Sequence, residues 1–127
     1  MRKTILLTIL LMAASVSRGQ TISEVRAEIV RQGIPNPEIV LAQARLETGN
    51  FTSRRCRVDH NIFGIKHGRQ YAKYRRWQDC VTDYKRRISS RYNGKEDYYQ
   101  FLRRIGYAES KDYTNRVRRI ANGMERH

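Results

Sequence analysis

The sequence predicts a small, mainly α domain of about five helices, with one short β-hairpin inserted after the second helix. Apolar residues recur at helical spacing through most of the chain after residue 20. Glycine, asparagine and proline interrupt these stretches where helices are expected to begin and end. Two segments depart from this pattern. Residues 51–60 are polar and irregular, and residues 61–74 suggest a turn and a short strand, a reversal at His67-Gly68 and a weakly alternating second strand.

Residues 1–19 have the composition of a secretory signal peptide. Arg2 and Lys3 precede an apolar run from Thr4 to Val16, and small residues follow it. The run is short for a transmembrane helix, although an uncleaved membrane anchor is the alternative interpretation. We therefore expect residues 20–127 to form one exported domain in the periplasm or at the cell wall outside the cell, without stable membrane insertion after cleavage.

The chain is strongly basic, with a formal net charge of +14. Loss of the three basic residues in the predicted signal peptide would leave +11. Such a charge predicts an anionic partner, and cell-wall polymer, anionic lipid and nucleic acid all qualify. Export argues against nucleic acid, and the arginines are scattered along the chain in pairs rather than gathered in one tail. The alternative is that many of them only form the solvated faces of helices.

Two cysteines, Cys56 and Cys80, are present. In an exported protein an even count favours a disulfide, which would add about 3–4 kcal/mol of stability in the chain-entropy model. The alternative is a pair of free buried thiols. Neither cysteine has a histidine at metal-ligand spacing, so we expect no metal site and no other cofactor.

Capping residues predict where the first two helices begin and end. The segment from Thr21 to Glu24 has the form of a capping box, and Gly33 is placed to end the helix that it begins. Asn36-Pro37 predicts the cap and the first turn of a second helix, which stops at Gly49. This second helix is apolar nearly all round, which predicts that it is central and buried.

Glu47 lies at the C-terminal end of the second helix, where the helix dipole disfavours a negative charge. It shares a helix face with Val40 and Ala44, so its carboxyl group should be partly desolvated. Both effects predict a raised pKa, and a carboxyl group that keeps its proton near neutral pH suits general acid catalysis. The alternative is an exposed surface glutamate without a role.

The later part of the chain predicts the hairpin and three more helices. A polar stretch after the second helix has room for a short helical turn. Residues 61–66 then predict a turn and a strand, and Tyr71–Tyr74 predicts a second strand that pairs with the first. Three apolar stripes at helical spacing predict the remaining helices. Their residues are Trp77, Val81, Tyr84 and Ile88; Tyr98, Phe101, Leu102 and Ile105; and Tyr113, Val117, Ile120 and Met124.

Four segments, in this order, resemble the glucosaminidase domain of glycoside hydrolase family 73. The segments are Ala42–Gly49, Asn61–Lys66, Trp77–Tyr84 and Gly106–Tyr113. The resemblance implies a lysozyme-like fold, with a cleft between a helical lobe and a small β lobe. It also implies an endo-β-N-acetylglucosaminidase that cuts the glycan of bacterial peptidoglycan, with Glu47 as general acid and no cofactor. The reaction needs a proton donor for the leaving oxygen, which agrees with the position of Glu47. We expect a monomer acting on peptidoglycan strands.

The resemblance implies further site residues. Tyr107 and Tyr113 are similar to tyrosines that the family places beside its catalytic acid, and we assign Tyr107 a catalytic role. Glycan sites combine aromatic rings with polar groups. The candidate substrate-binding residues are therefore Asn61, Phe63, Asp79 and Tyr113. As alternatives, Tyr113 and Phe63 are core residues, and Asn61 is only a turn residue.

One expected residue is missing. Family members carry a second acidic residue in the β lobe, but residues 67–74 contain neither Asp nor Glu. The nearest candidates are Asp59, Asp79 and Asp83. Otherwise the acetamido group of the substrate serves as the nucleophile, or the protein binds wall glycan without turnover. A third hypothesis, a cationic protein that acts on nucleic acid or membranes, rests on charge alone.

Overall fold

The computed structural model describes residues 20–107 and 111–123. The predicted signal peptide and Met124 lie outside the described residues. Six α-helices, a 3-10 turn and a two-stranded antiparallel sheet are found there, so the mainly α, lysozyme-like prediction is confirmed. The elements are α1 (Ile22–Arg31), α2 (Pro37–Thr48), α3 (Arg54–Asp59), β1 (Lys66–His67), β2 (Gln70–Tyr71), α4 (Trp77–Arg87), the 3-10 turn (Ser89–Arg91), α5 (Tyr98–Arg104) and α6 (Lys111–Ala121).

The predicted capping box begins α1. The Thr21 hydroxyl accepts a bond from the Glu24 backbone N–H at 3.1 Å, and the Glu24 carboxylate accepts one from the Thr21 N–H at 2.9 Å. Helix α2 begins as predicted, with Asn36 as its N-cap and Pro37 in its first turn, but the left-handed backbone of Asn36 (φ 54°) leaves its side chain without a capping bond. Gly49 ends α2 in the left-handed conformation, as predicted.

Helix α2 is the central helix of the molecule, as its composition predicts. It packs mainly against α6 and α1, and Val40, Leu41 and Ala44 are among its buried residues. Tyr84 of α4 and Phe101 of α5 belong to the same core. Glu47 therefore projects from a close-packed element, which fixes the position of its backbone. No helix in the described part of the chain is long and apolar enough to cross a bilayer.

The β lobe, residues 61–74, contains a shorter hairpin than the sequence predicts. Its only paired residues are Lys66 with Tyr71 and His67 with Gln70. The predicted second strand, Tyr71–Tyr74, is wrong beyond its first residue. The backbone N–H of Ala72 still donates to the carbonyl of Ile65 at 2.9 Å, but the chain then leaves β1, and the backbone N–H of Tyr74 donates to the carbonyl of Asp59 at 2.9 Å.

Asp83 fastens the β lobe to α4. Its side chain is 4% exposed, and one carboxylate oxygen accepts bonds from His67 Nε2 at 2.8 Å and from the Tyr74 hydroxyl at 2.7 Å. The other oxygen accepts bonds from Arg86 and Arg87, each at 2.8 Å. Burial disfavours the charged form, but these donors outweigh it and hold the pKa of Asp83 well below its usual value.

The expected disulfide is wrong, because Cys56 and Cys80 are both free, buried thiols. Each sulfur has a different polar neighbour. Cys56 Sγ accepts a bond from Gln20 Nε2 at 2.9 Å, and Cys80 Sγ donates to Asn61 Oδ1 at 3.5 Å. Burial raises the pKa of both thiols, that of Cys80 to about 12, so both are kept in the protonated form. The alternative of two buried thiols therefore holds.

Candidate active site

A cleft of 510 Å³ lies between the end of α2, the β lobe and the 3-10 turn. We call it the Glu47 cleft. A volume of this size is typical of sites for small ligands. Its lining residues are Glu47, Phe63, Gly64, Ile65, Lys66, Arg87, Ile88, Arg91 and Tyr107.

Glu47 stands at the C-terminal end of α2 and is half-buried in the cleft. Burial raises the pKa of its carboxyl group, whereas the positive charges of Arg55 and Arg116 and a hydrogen bond from Tyr113 oppose the rise. The net direction is upward, as the sequence predicts, and burial is its main cause. Such a carboxyl group is suited to holding a proton that it can donate.

Gly64 allows the Glu47 carboxyl group to lie close to the backbone of the β lobe. A Cβ at residue 64 would lie 2.9 Å from Glu47 Oε2, closer than real Cβ atoms approach. Residue 64 also has φ +65°, in the left-handed region that favours glycine. Both observations make Gly64 part of the site. The amino-acid sequence indicates this role only by placing Gly64 inside the family-like segment Asn61–Lys66.

A chain of hydrogen bonds runs from the core to the carboxyl group of Glu47. The Tyr84 hydroxyl contacts the Tyr98 hydroxyl at 2.9 Å and donates to Gln43 Oε1. Gln43 Nε2 donates to the Tyr113 hydroxyl at 3.4 Å, and Tyr113 is hydrogen-bonded to Glu47. Gln43 is fully buried, and sequence reasoning missed its role. Its signal was a polar residue inside the apolar stretch from Ile39 to Ala44.

Tyr107 and Phe63 meet at the wall of the cleft. The Tyr107 hydroxyl donates to the backbone carbonyl of Phe63 at 3.1 Å, which ties the segment after α5 to the β lobe. The Phe63 ring is 1% exposed and lies 4.4 Å from the Tyr84 ring, so its side chain is a core residue. Burial raises the pKa of Tyr107 well above its ordinary value, so this phenol stays protonated.

Tyr113 joins Glu47 to the core rather than lining the cleft. It is half-buried and packs against both groups of buried apolar residues. Its ring lies 6.0 Å from that of Tyr107. Tyr113 is therefore both a core residue and a direct neighbour of Glu47.

Asn61 does not line the Glu47 cleft, which corrects its assignment as a substrate-binding residue. It is fully buried, and its amide group donates to the carbonyls of Ile65 and Ala72, each at 2.9 Å. Its side-chain oxygen accepts a bond from the Ile65 N–H at 3.0 Å. Asn61 therefore shapes the loop that carries the lining residues Phe63, Gly64 and Ile65.

The three candidates for a second acid lie outside the Glu47 cleft. Asp79 and Asp83 line a different pocket, together with His67. Asp79 is also paired with Arg76 at 3.3 Å and does not line the Glu47 cleft, so its assignment as a substrate-binding residue stays a prediction. Asp59 lines a third pocket, together with Arg55. Among the described residues, Glu47 is the only carboxyl group that lines the cleft.

Basic side chains dominate the charge of the cleft lining. They are Lys66 of β1, Arg87 at the end of α4 and Arg91 of the 3-10 turn. Arg55, which acts on Glu47 from outside the lining, is held with its guanidinium carbon 3.3 Å from the centre of the Tyr71 ring. Sequence reasoning noted the basic pairs but did not place any of them at the site.

The Glu47 cleft combines a half-buried carboxyl group of raised pKa, tyrosines beside it and an open groove in a mainly α, lysozyme-like fold. Within residues 20–107 and 111–123, no group of three His, Cys, Asp or Glu side chains is placed to hold a metal ion. A carboxyl group with a raised pKa in an open cleft has the property that the general acid of a glycosidase needs.

The family comparison agrees. The family model of the glucosaminidases, described as mannosyl-glycoprotein endo-beta-N-acetylglucosaminidase, matches residues 23–126. The chain therefore belongs to the glucosaminidase family. Searches of curated proteins and of solved structures found no match to it.

Proposed function

We propose that this protein is an exported peptidoglycan hydrolase, an endo-β-N-acetylglucosaminidase in which Glu47 is the general acid. The observation that carries the proposal is the half-buried carboxyl group of Glu47, with its raised pKa, in an open cleft of 510 Å³. Family membership supports the reaction class. The net charge of +14 supports an anionic wall polymer as the partner.

The first step protonates the leaving oxygen. Glu47 donates its proton to the glycosidic oxygen as the bond to C1 breaks, and the sugar acquires oxocarbenium character. Tyr107 and Gly64 support this step by shaping the wall against which the carboxyl group rests. The Tyr113 hydrogen bond then stabilises the carboxylate that remains.

A neighbouring-group route supplies the second half of the reaction. No carboxylate other than Glu47 lines the described cleft, so the acetamido oxygen of the substrate is proposed to attack C1 and form a cyclic oxazolinium intermediate. Water then adds to C1 and reopens the ring. The Glu47 carboxylate takes the proton of that water, which restores the starting state.

The alternative function is a wall-binding module without turnover. It is favoured by the same observation, a single carboxyl group in the described cleft lining, together with the basic lining residues. Binding to a polyanion of this kind needs no proton donor. The two proposals differ in whether new reducing ends appear, and in whether their appearance depends on Glu47.

Digestion of purified peptidoglycan tests both proposals. We expect the wild type to release fragments with N-acetylglucosamine at the new reducing end, identified by mass spectrometry, and Glu47→Gln to be slower by roughly a hundredfold or more. Glu38→Gln is the matched control. It makes the same change on the same helix, at an exposed residue paired with Arg26, and should keep wild-type turnover.

The outcomes separate the hypotheses. Equal turnover by the wild type and Glu47→Gln would exclude Glu47 as the acid. Wall binding by the wild type without any new reducing ends would favour the binding module. Fragments that end in N-acetylmuramic acid would contradict the assigned bond.

A further inference from the structure

Lys66 and Arg91 reach the Glu47 cleft from two different elements, β1 and the 3-10 turn. Both side chains are exposed, and neither belongs to an ion pair in the described ranges. The Lys66 ammonium lies 4.9 Å from the centre of the Tyr71 ring, which limits where it can extend. Two uncompensated cations therefore face the open groove.

Arg87 has a different role from these two residues. Its Nε donates to Asp83 Oδ1 at 2.8 Å, inside the cluster that fastens the β lobe. Its charge is therefore partly balanced by the protein. Lys66 and Arg91 have no such carboxylate, and the one acid in the described lining, Glu47, is half-buried.

We propose that Lys66 and Arg91 form a subsite for a carboxylate carried by the glycan, so that the cleft takes an acidic amino-sugar polymer in preference to a neutral one. The inference rests on the proposed function of the cleft and names the chemistry that it selects. Ammonium and guanidinium groups bind carboxylates through charge-assisted hydrogen bonds. A cleft also focuses the field of its charges onto the ligand inside it.

Peptidoglycan offers this chemistry from two sources. One is the lactyl carboxylate on the muramic acid sugar, which is free when no peptide is attached. The other is the set of carboxylates on the peptide that is otherwise joined to the lactyl group. Three tetrasaccharides separate them: one of N-acetylglucosamine alone, one with muramic acid and no peptide, and one with muramic acid and its peptide.

Binding is measured by calorimetry in a Glu47→Gln background, which prevents turnover. We expect Lys66→Gln/Arg91→Gln to weaken binding of at least one acidic tetrasaccharide by about five- to tenfold, the combined effect of two exposed charge pairs. Binding of the neutral tetrasaccharide should stay within about twofold. Weakening of the peptide-free acidic ligand assigns the lactyl group, and weakening of the peptide-bearing ligand alone assigns the peptide.

The matched control is Arg103→Gln/Arg119→Gln, which removes the same charge from exposed residues outside the cleft. An equal effect of the control pair would overturn the proposal, because net charge would then explain the binding. Equal weakening of all three ligands, or of none, would overturn it too. Since no step needs turnover, an inactive wild type would refute the hydrolase proposal and leave this test intact.

Discussion

At the scale of single residues, the environment of Glu47 is built by side chains that are distant in sequence. Gln43 and Tyr113 are 70 residues apart, yet they share a hydrogen bond beside the carboxyl group. Because the buried amide of Gln43 donates to the Tyr113 oxygen, the Tyr113 proton is left for Glu47. Gln43 is thus a positioning residue, and its effect should require the Tyr113 hydroxyl.

A double-mutant cycle tests this dependence. The Tyr113 bond lowers the pKa of Glu47, so loosening it with Gln43→Met should move the alkaline limb of kcat/KM to higher pH. In a Tyr113→Phe background the same change should leave the limb in place. Shifts of equal size in both backgrounds would show that Gln43 acts only through folding.

Gly64→Ala tests the close approach of the β lobe to Glu47. The added methyl group would meet the carboxyl oxygen, so we expect turnover to fall by at least about tenfold. Gly94→Ala is the control, because its φ of +80° imposes similar backbone strain with no atom within 4 Å of the new Cβ. Both variants should lose about 1–2 kcal/mol of stability. Equal turnover by the two would contradict the steric role of residue 64.

At the scale of secondary structure elements, local sequence signals predicted the helices. They did not predict how the β lobe is held against the helices. The capping box before Ile22 and the glycine after Thr48 act within one turn, so sequence reasoning could identify them. The second strand was misplaced because the lobe is held by Asn61 and Asp83, whose partners are set by tertiary structure. Helical spacing likewise does not say which pocket a helix face meets, so it could not indicate that Asp79 lies outside the Glu47 cleft.

Asp83 is the point at which this attachment can be tested. Because its folded-state pKa lies below the usual value, Asp83 contributes stability above the unfolded pKa of about 3.9 and loses it as pH falls through the folded value. We expect Asp83→Asn to cost about 2–4 kcal/mol at pH 7, measured by urea unfolding. The gap between variant and wild type should narrow below about pH 4. A gap that is constant with pH would contradict the ionised role of Asp83.

At the scale of the whole molecule, the fold is stabilised without a crosslink. The sequence pattern of two cysteines in a predicted exported chain favoured a disulfide, but pairing depends on where the two sulfurs lie in space. The buried core and the satisfied polar groups must therefore supply the stability. In the described residues, every buried polar side-chain atom has a hydrogen-bond partner.

The absence of a crosslink gives a simple expectation for the melting temperature. Dithiothreitol should leave it unchanged within about 2 °C, and mass spectrometry after alkylation in denaturant should count two modified thiols per chain. Reduction of a disulfide would instead lower the free energy of unfolding by about 3–4 kcal/mol and the melting temperature by about 10 °C or more. A fall of this size in the melting temperature with dithiothreitol, together with no alkylated thiols, would contradict the structure.

The claim on which the reaction depends is that the fold keeps a proton on Glu47. The direct measurement is a carboxyl ¹³C NMR titration of the labelled protein, with the Glu47 signal identified by its loss in Glu47→Gln. We predict a midpoint clearly above the value of about 4.3 for a free glutamate, because burial outweighs Arg55, Tyr113 and Arg116. A midpoint at or below that value would contradict the account.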